Sequence, residues 1–187
     1  MKNLLFLFLA ILFAGCSNDG VLVTFDDEKS NAIREHYQNY LNNDVAALQS
    51  LWSPDLKIYM NSVEASGVAD ISDLITVQHQ VFDNISMSFQ DDGADEDLGV
   101  WVQTINYPPS NGSPEMTITQ TWFNWSATGI ASGNSIEIPV LISFQWENGK
   151  IVREWHNFDT TAMMAEIELA TSPVSYTHLT LPTTHCV

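Results

Sequence analysis

Apolar and polar residues alternate along residues 136–146, where every second position is apolar. This period of two is typical of a strand that buries one face. Asn148-Gly149 follows, and both residue types tolerate the positive φ that a tight hairpin turn requires. A second strand-like run, residues 151–158, leads away from the turn and ends at Asp159. The pattern predicts a long β-hairpin as the central element of the fold.

Three segments before this hairpin have the spacing of amphipathic helices. The first begins at Thr24, where Thr24 and Asp27 resemble a capping box, while Asp44 and Asp70 cap the second and third. Pro54 ends the second helix because proline cannot continue a helical hydrogen-bond ladder. One face of each helix is apolar: Ile33, Tyr37, Tyr40 and Leu41 in the first; Val45, Leu48, Leu51 and Trp52 in the second; Ile71, Leu74, Ile75, Gln78 and Phe82 in the third.

The remaining apolar runs predict four more strands and a last helix. The strands are residues 56–60, 85–90, 100–107 and 116–125, and the helix begins at Asp159 or Thr160. Helices that precede an antiparallel sheet make an α+β domain. Pro139 within a strand indicates a bulge or an edge, and such bends let a sheet curl into a cup around the helices.

The charge of the chain limits its partners. The 187 residues include 23 acidic and 6 basic side chains, which give a formal net charge of −17. The basic residues are scattered singly, so we expect no nucleic-acid partner, and anionic substrates are disfavoured. No two histidines have the H-x-x-x-H spacing of a helical zinc site, so we expect neither a metal nor another cofactor. The acidic run at residues 91–97 is typical of a solvated loop.

The first sixteen residues have the composition of a targeting segment. Lys2 is followed by an apolar run over residues 4–13, which is too short to span a bilayer. The stretch that ends at Cys16 resembles the lipobox of bacterial lipoproteins, with Phe13 in place of the usual Leu. The resemblance implies a membrane anchor through lipid on Cys16 and, because Ser17 follows, the outer rather than the inner membrane of the bacterial envelope. The alternative is an ordinary secretory signal that is cleaved elsewhere.

Composition divides the chain into four parts. Residues 1–15 are the predicted lipoprotein signal peptide, 16–28 the lipidated cysteine and a tether, and 29–170 the folded domain. Residues 171–187 contain no charged side chain and resemble adapter-derived read-through at the end of a gene; the alternative is a natural disordered tail. Cys186 lies in that tail and is the only other cysteine, so we expect no structural disulfide.

The order of the elements and a set of short motifs carry a resemblance to a known family. The motifs are residues 127–129, 136–139, 144, 148–152 and 158–159, which read ATG, IEIP, F, NGKIV and FD. Over residues 29–170 the chain resembles the SnoaL-like branch of the nuclear-transport-factor-2-like superfamily. The resemblance implies a cone-shaped α+β barrel, in which a curved antiparallel sheet wraps around the N-terminal helices and an apolar pocket. It also implies homodimers formed through the sheet.

The resemblance also implies where a site would lie. Enzymes of this family place an Asp or a His in the apolar pocket, where desolvation tunes it as a general acid or base. We expect His156 as the acid or base, Asp159 as a carboxylate that orients it, and Tyr37 as a phenol that polarises an oxygen atom. Their alternative roles are a half-exposed strand histidine, the N-cap of the last helix and a packed tyrosine. The expected pocket lining is Tyr40, Trp52, Tyr59, Trp101, Trp122 and Phe144.

Two functions remain open at this point. The family contains isomerases, cyclases and hydrolases as well as non-catalytic binding domains, so the fold alone cannot choose between them. Either the pocket holds a small apolar molecule without changing it, or it carries out acid–base chemistry on such a molecule. The two readings differ in whether His156 and a carboxylate face the same cavity.

Overall fold

The helices and strands largely follow the hydrophobic pattern of the sequence. The computed structural model describes residues 20–89 and 98–171, so the predicted signal segment, Cys16, the acidic loop and the tail beyond residue 171 lie outside the described residues. In chain order the elements are β1 (Leu22–Thr24), α1 (Glu28–Leu41), α2 (Val45–Leu51), β2 (Trp52–Met60), α3 (Val68–Val81), β3 (Phe82–Ser88), β4 (Trp101–Tyr107), β5 (Met116–Gly129), β6 (Ser135–Glu147), β7 (Lys150–Asn157) and α4 (Thr161–Thr171). The predicted α+β class is confirmed.

These seven strands belong to one curved sheet in the order β1-β4-β5-β6-β7-β2, with β3 beside the second half of β5. β4 pairs with the first half of β5, so β3 and β4 share one edge of that long strand. Within the described ranges no pairing joins β1 to β2, so the sheet is open rather than a closed barrel. The helices pack on its inner face and complete the predicted cup.

One edge of the sheet corrects the prediction of a wholly antiparallel arrangement. β2 pairs with β7 in parallel, with Lys57 opposite Arg153 and Met60 opposite His156. Parallel neighbours need a long crossover. Here the chain passes through α3 and the other strands before it returns beside β2. The sheet is therefore mixed, and β2 reaches the hairpin from a distant part of the chain.

The β6 strand has the predicted alternation. Its apolar side chains from Ile138 to Trp146 are buried at every second position. Pro139 pairs with Asn124 of β5 and lies beyond the last residue pair between β6 and β7. On the β7 side of β6, the missing N–H of this proline therefore interrupts no pairing, and the expectation of a local edge is confirmed.

The N-terminus of the domain differs from the prediction. Thr24 ends β1 instead of beginning a helix, and residues Leu22–Thr24 pair with β4. Part of the expected tether, residues 16–28, therefore belongs to the sheet. Asp27 is the N-cap of α1: its Oδ1 accepts the backbone N–H groups of Lys29 at 2.8 Å and Ser30 at 3.1 Å. Its Oδ2 accepts the Thr24 hydroxyl at 2.6 Å.

We expect Asp27→Ala to lower the free energy of unfolding by about 1 kcal/mol at pH 7. Partial burial raises the pKa of Asp27, but hydrogen bonds from Thr24, Ser30 and Lys29 outweigh it and set the pKa at about 2. Because the folded pKa is depressed, the stabilisation is complete above pH 3.8, the ordinary value, and is lost as the pH falls through 2. Urea unfolding at several pH values measures this difference. An exposed control, Asp55→Ala, should change the free energy of unfolding by less than about 0.5 kcal/mol. A pH-independent effect of Asp27→Ala would contradict the cap.

Buried hydroxyl groups join α1 to the sheet. Ser30 Oγ lies 2.8 Å from Thr104 Oγ1, which lies 2.9 Å from Thr119 Oγ1. Trp146 donates its indole N–H to Thr119 at 2.9 Å. Buried polar groups that satisfy one another avoid the penalty of lost hydration. This chain of hydroxyl groups fixes α1 against β4 and β5, which positions the helix for the site.

The last helix is attached to the turn between β5 and β6. Glu166 of α4 is buried, and its Oε1 accepts the backbone N–H groups of Ala131 at 3.1 Å and Ser132 at 3.0 Å. Hydrogen bonds from Ser132, first of all from its side chain, hold the pKa of Glu166 below its usual value. Gly129 leaves space for this carboxyl group, since a Cβ there would overlap it. α4 is thereby held as one wall of the cup.

The two middle helices begin near the predicted residues. Asp44 caps α2, and its Oδ1 accepts the backbone N–H of Ala47 at 2.9 Å. α3 begins after Gly67, and Asp70 lies within its first turn, where it accepts the Gly67 N–H at 2.9 Å.

No helix in the described parts of the chain is long and apolar enough to cross a membrane.

Candidate active site

A cavity of about 90 Å³ lies between the sheet and the helices. Since a water needs about 10–15 Å³ on this measure, the cavity has room for several waters or one small organic molecule. Most of the lining is apolar and includes Ile71, Ile75, Trp125, Ile142, Phe144 and Met163. Met60, Met87 and Phe158 of the lining are partly exposed. Among the described residues, no three His, Cys, Asp or Glu side chains gather as metal ligands.

Two polar side chains of β7, Glu154 and His156, line this cavity. The register of β7 against β6 shifts at Val152, which has no opposite residue. A bulge of this kind changes the face that the following side chains occupy. Ile151, Glu154 and His156 are therefore all buried, although Ile151 and Glu154 are three positions apart. The bulge is the local feature that turns both polar groups toward the inside.

Glu154 accepts hydrogen bonds on both carboxylate oxygens. Its Oε2 lies 2.7 Å from His156 Nε2, and its Oε1 accepts the indole N–H of Trp52 at 2.7 Å. Glu154 is 2% exposed and His156 8%. We assign the proton of this contact to His156 Nε2, with the carboxylate as acceptor, which leaves Nδ1 for a bound molecule. A histidine held by a carboxylate in this way has the geometry of an oriented general base.

His36 of α1 is a second histidine in the lining. It is 8% exposed and lies edge-on to the Trp52 ring, with 5.5 Å between the ring centroids. Burial lowers the pKa of His36 to about 4; the charge of Glu154 opposes this shift and that of His156 adds to it. The ring is therefore neutral near pH 7. In the part of the chain that the structure describes, His36 Nδ1 has no hydrogen-bond partner, and such an unpaired buried group costs about 1–3 kcal/mol.

Tyr37 lines the cavity, but its hydroxyl group is bonded to the sheet. The hydroxyl oxygen lies 2.7 Å from Thr121 Oγ1, and Thr121 donates to the carbonyl of Ile142 at 3.3 Å. Tyr37 therefore donates its own proton to Thr121. Burial raises the pKa of Tyr37, so the phenol is neutral. Since a ligand oxygen would have to displace Thr121 to receive this proton, the polarising role of Tyr37 stays a prediction.

A row of hydrogen bonds crosses the cavity wall from the sheet to α4. The indole N–H of Trp125 donates to the Tyr40 hydroxyl at 2.9 Å, and Tyr40 donates to Gln78 Oε1 at 3.1 Å. Gln78 Nε2 donates to the sulfur of Met163 at 3.1 Å. Burial raises the pKa of Tyr40, so this phenol is also neutral. These polar atoms satisfy one another.

The expected lining residues fall into two groups. Tyr40, Trp52 and Phe144 lie in the cavity lining, together with His156 and Tyr37. The expected lining residues Tyr59, Trp101 and Trp122 do not.

The three excluded aromatics lie on the outer face of the sheet. Trp101 and Trp122 are opposite each other on β4 and β5, whereas Thr121 and Phe123, the neighbours of Trp122, are buried inside. Tyr59 stacks on Trp155 of β7, with ring centroids 6.2 Å apart. Because successive strand side chains point to opposite faces, these positions cannot reach the cavity.

Asp159 lies outside the cavity as well. It is exposed, and its Oδ1 accepts the backbone N–H of Thr161 at 2.8 Å, just before α4. Hydrogen bonds from the side chain and backbone of Thr161 lower the pKa of Asp159. This placement matches the helix-capping alternative. The carboxylate that contacts His156 is Glu154, not Asp159.

Sequence reasoning misses Glu154 and His36 as site residues. Glu154 precedes His156 by two positions, so strand alternation places both on one face. His36 follows Ile33 by three positions, which places it beside the apolar face of α1. Acidic residues are seldom fully buried and histidines are intermediate, so neither position stands out from its residue type alone.

Comparison with solved structures shows what this fold is similar to. AclR, a proposed hydroxylase from Streptomyces galilaeus, is 16% identical, and the match covers 78% of this chain and 98% of AclR with a TM-score of 0.54. IdmH, a proposed polyketide cyclase from Streptomyces antibioticus, is 16% identical over 75% of this chain and 99% of IdmH, with a TM-score of 0.52. A nuclear-transport-factor-2-like protein of unknown function from Burkholderia pseudomallei is 13% identical over 76% of this chain and 98% of its own, with a TM-score of 0.52. At these identities the likeness concerns the fold alone.

Comparison with curated protein sequences found no significant match. A family model, that of the SnoaL-like domain, matches residues 33–154. The matched segment begins within α1 and ends within β7, so it contains His36, Tyr37 and Glu154. With this match across most of the folded domain, the chain belongs to the SnoaL-like domain family.

Proposed function

We propose that the cavity binds one small, mainly apolar molecule and that the Glu154–His156 pair transfers a proton to or from it. The observation that carries the proposal is the buried pair, whose Oε2 and Nε2 atoms lie 2.7 Å apart in a wall that is mostly apolar. Burying a carboxylate is unfavourable even when it is paired, and apolar side chains would pack the same wall more stably. Ionisable groups kept in such surroundings are typical of functional sites.

The chemistry that suits this pair is proton abstraction next to a carbonyl group. His156 Nδ1 accepts the proton, the electron pair of the C–H bond forms an enolate, and Glu154 stabilises the imidazolium. Where a C=C bond is conjugated with the enolate, return of the proton from His156 to the far end of that bond shifts the double bond. Alternatively, attack of the enolate carbon on a second carbonyl closes a ring, and His156 returns the proton to the alkoxide oxygen that forms. The similarity to a proposed polyketide cyclase supports this reaction class, because polyketides carry such carbonyl groups.

The ligand should be neutral and should occupy the cavity. We expect cyclohexanone to bind but cyclohexanecarboxylate not to bind, because a second carboxylate beside Glu154 would be desolvated and repelled. Ile75→Phe fills the cavity and should abolish cyclohexanone binding, which saturation-transfer NMR detects. Val77→Phe lies on the same helix outside the lining and should keep it. Equal binding of both ligands, or binding to Ile75→Phe, would contradict this site.

We further propose that the domain is carried on an exported lipoprotein anchored at Cys16. The support is the apolar run at residues 4–13 and the lipobox-like stretch that ends at Cys16. In a Gram-negative host, the full chain should incorporate labelled palmitate, Cys16→Ser should not, and the neighbouring Ser17→Ala should behave like the wild type. Labelling that survives Cys16→Ser would rule out this anchor.

A further inference from the structure

Exposed apolar side chains gather at the N-terminal end of the domain. Among the described residues eight large apolar side chains are exposed, and half of them lie within residues 21–25: Val21 at 55%, Leu22 at 58%, Val23 at 42% and Phe25 at 47%. Edge strands are usually protected by charged residues or prolines, but residues 21–25 contain neither. These side chains therefore need a covering surface that the described part of the domain does not supply.

Two further aromatic rings extend this patch onto the outer face of the sheet. Val23 pairs with Ile105 of β4, and Trp101 lies four positions before Ile105, so these side chains share the outer face. The Phe25 ring packs edge-on against Trp101 with 5.6 Å between the centroids, and Phe89 lies 5.9 Å from the same indole. We call this set of side chains the apolar edge: Val21, Leu22, Val23, Phe25, Phe89 and Trp101.

The proposed anchor holds the apolar edge close to a membrane. Only residues 17–20 separate Cys16 from Val21, and five residues of extended chain span at most about 18 Å. A small domain is about 30 Å across, and the headgroup layer of a bilayer is itself about 5–8 Å deep. The end of the domain that carries β1 must therefore face the bilayer, with the headgroups within reach of its first strand.

We propose that the apolar edge docks on the bilayer to which Cys16 is anchored, with its side chains among the lipid headgroups and the first carbons of the acyl chains. This inference rests on the proposed anchor at Cys16 and is independent of the proposed proton transfer.

Zwitterionic lipid is the surface that these side chains fit. Burial of apolar area drives binding at the membrane interface, and tryptophan rings favour that depth. Residues 21–25 carry no charge, and a chain with a net charge of −17 gains nothing from anionic headgroups. A second copy of the chain is the competing occupant, but the short tether keeps the membrane within reach of every copy.

The test places a nitroxide spin label on the apolar edge of the full lipidated chain in phosphatidylcholine vesicles. In a Cys186→Ser background, Val23→Cys supplies the one free thiol, because the sulfur of Cys16 carries lipid. Val63→Cys is the matched control, since Val63 is 95% exposed and follows β2, the strand at the opposite edge of the sheet from β1. We expect oxygen to relax the label at position 23 more strongly than a water-soluble nickel chelate does, and we expect the reverse at position 63.

A second measurement leaves β1 unaltered. Phosphatidylcholine that is brominated on its acyl chains should quench part of the tryptophan emission of the lipidated wild-type chain. Trp101→Phe should remove most of this quenching. Trp155→Phe removes a half-buried indole from the outer face of β7 and should keep it.

The outcomes separate this inference from the anchor. Two labels that are equally open to the nickel chelate, with no quenching of the wild type, overturn the docking but leave the anchor, which palmitate incorporation measures separately. A chain that incorporates no palmitate contradicts both the anchor and the docking. Spin–spin broadening between labels at position 23 would show that a second copy covers the apolar edge, and would also overturn the inference.

Discussion

Glu154→Ala should lower the free energy of unfolding by about 3 kcal/mol, the largest single effect we expect from a polar substitution in this domain. The change removes the partner of the Trp52 indole N–H and of His156 Nε2, both 2.7 Å from the carboxylate and both buried. Two buried groups would then be left without a hydrogen bond. Urea unfolding of the wild type and the variant at pH 7 measures the difference.

Two further variants test whether Glu154→Ala is destabilising because a buried hydrogen-bond acceptor is lost. Glu137→Ala removes an exposed carboxylate of β6 that accepts a hydrogen bond from Asn124 at 3.0 Å, and it should cost less than about 1 kcal/mol. Glu154→Gln keeps an oxygen for the Trp52 N–H and should lie between the two. If Glu154→Ala were no less stable than Glu137→Ala, Glu154 would not be the buried acceptor that holds this wall together.

His156→Gln should reduce proton transfer at least about 100-fold, because general base catalysis contributes about 10²–10⁴-fold. Glutamine can still bond to Glu154 but cannot take up a proton. The assay follows exchange of the protons beside the carbonyl of cyclohexanone in D₂O by ¹H NMR. Saturation-transfer NMR on the same variant should still show bound ketone, which separates loss of chemistry from loss of binding.

A second histidine provides the control for that substitution. His79 of α3 lies outside the cavity lining, where its ring contacts Tyr40 with 5.3 Å between centroids. His79→Gln should therefore keep the wild-type exchange rate. Exchange that is undiminished in His156→Gln, or equally reduced in both variants, would mean that His156 is not the base.

The sequence predicts much of the fold because the pattern within β6 reports its burial directly. The alternating residues of this strand, together with the edge position of Pro139, lie where the period of two places them. Two other features depend on distant parts of the chain. β1 has only three residues and no measurable period, and the parallel pairing of β2 with β7 joins segments far apart in sequence. Local periodicity contains no information about such partners.

The candidate site is only partly predictable for related reasons. An Asp that caps a helix and an Asp in a pocket have the same local sequence. The sequence therefore predicts Asp159 as the carboxylate that orients His156, whereas in the structure Glu154 makes that contact. The bulge at Val152 decides which side chains of β7 point inward. No residue type in this part of the sequence predicts a bulge. His36 becomes a candidate only when its ring is seen in the cavity lining.

Whether the cavity itself carries out proton transfer is decided by the exchange rate of cyclohexanone protons in D₂O. We expect wild-type protein to speed this exchange at least about 100-fold over free imidazole at the same concentration. The rate should saturate with ketone and disappear when Ile75→Phe fills the cavity. A wild-type rate equal to that of imidazole, or one that Ile75→Phe leaves unchanged, would contradict the claim.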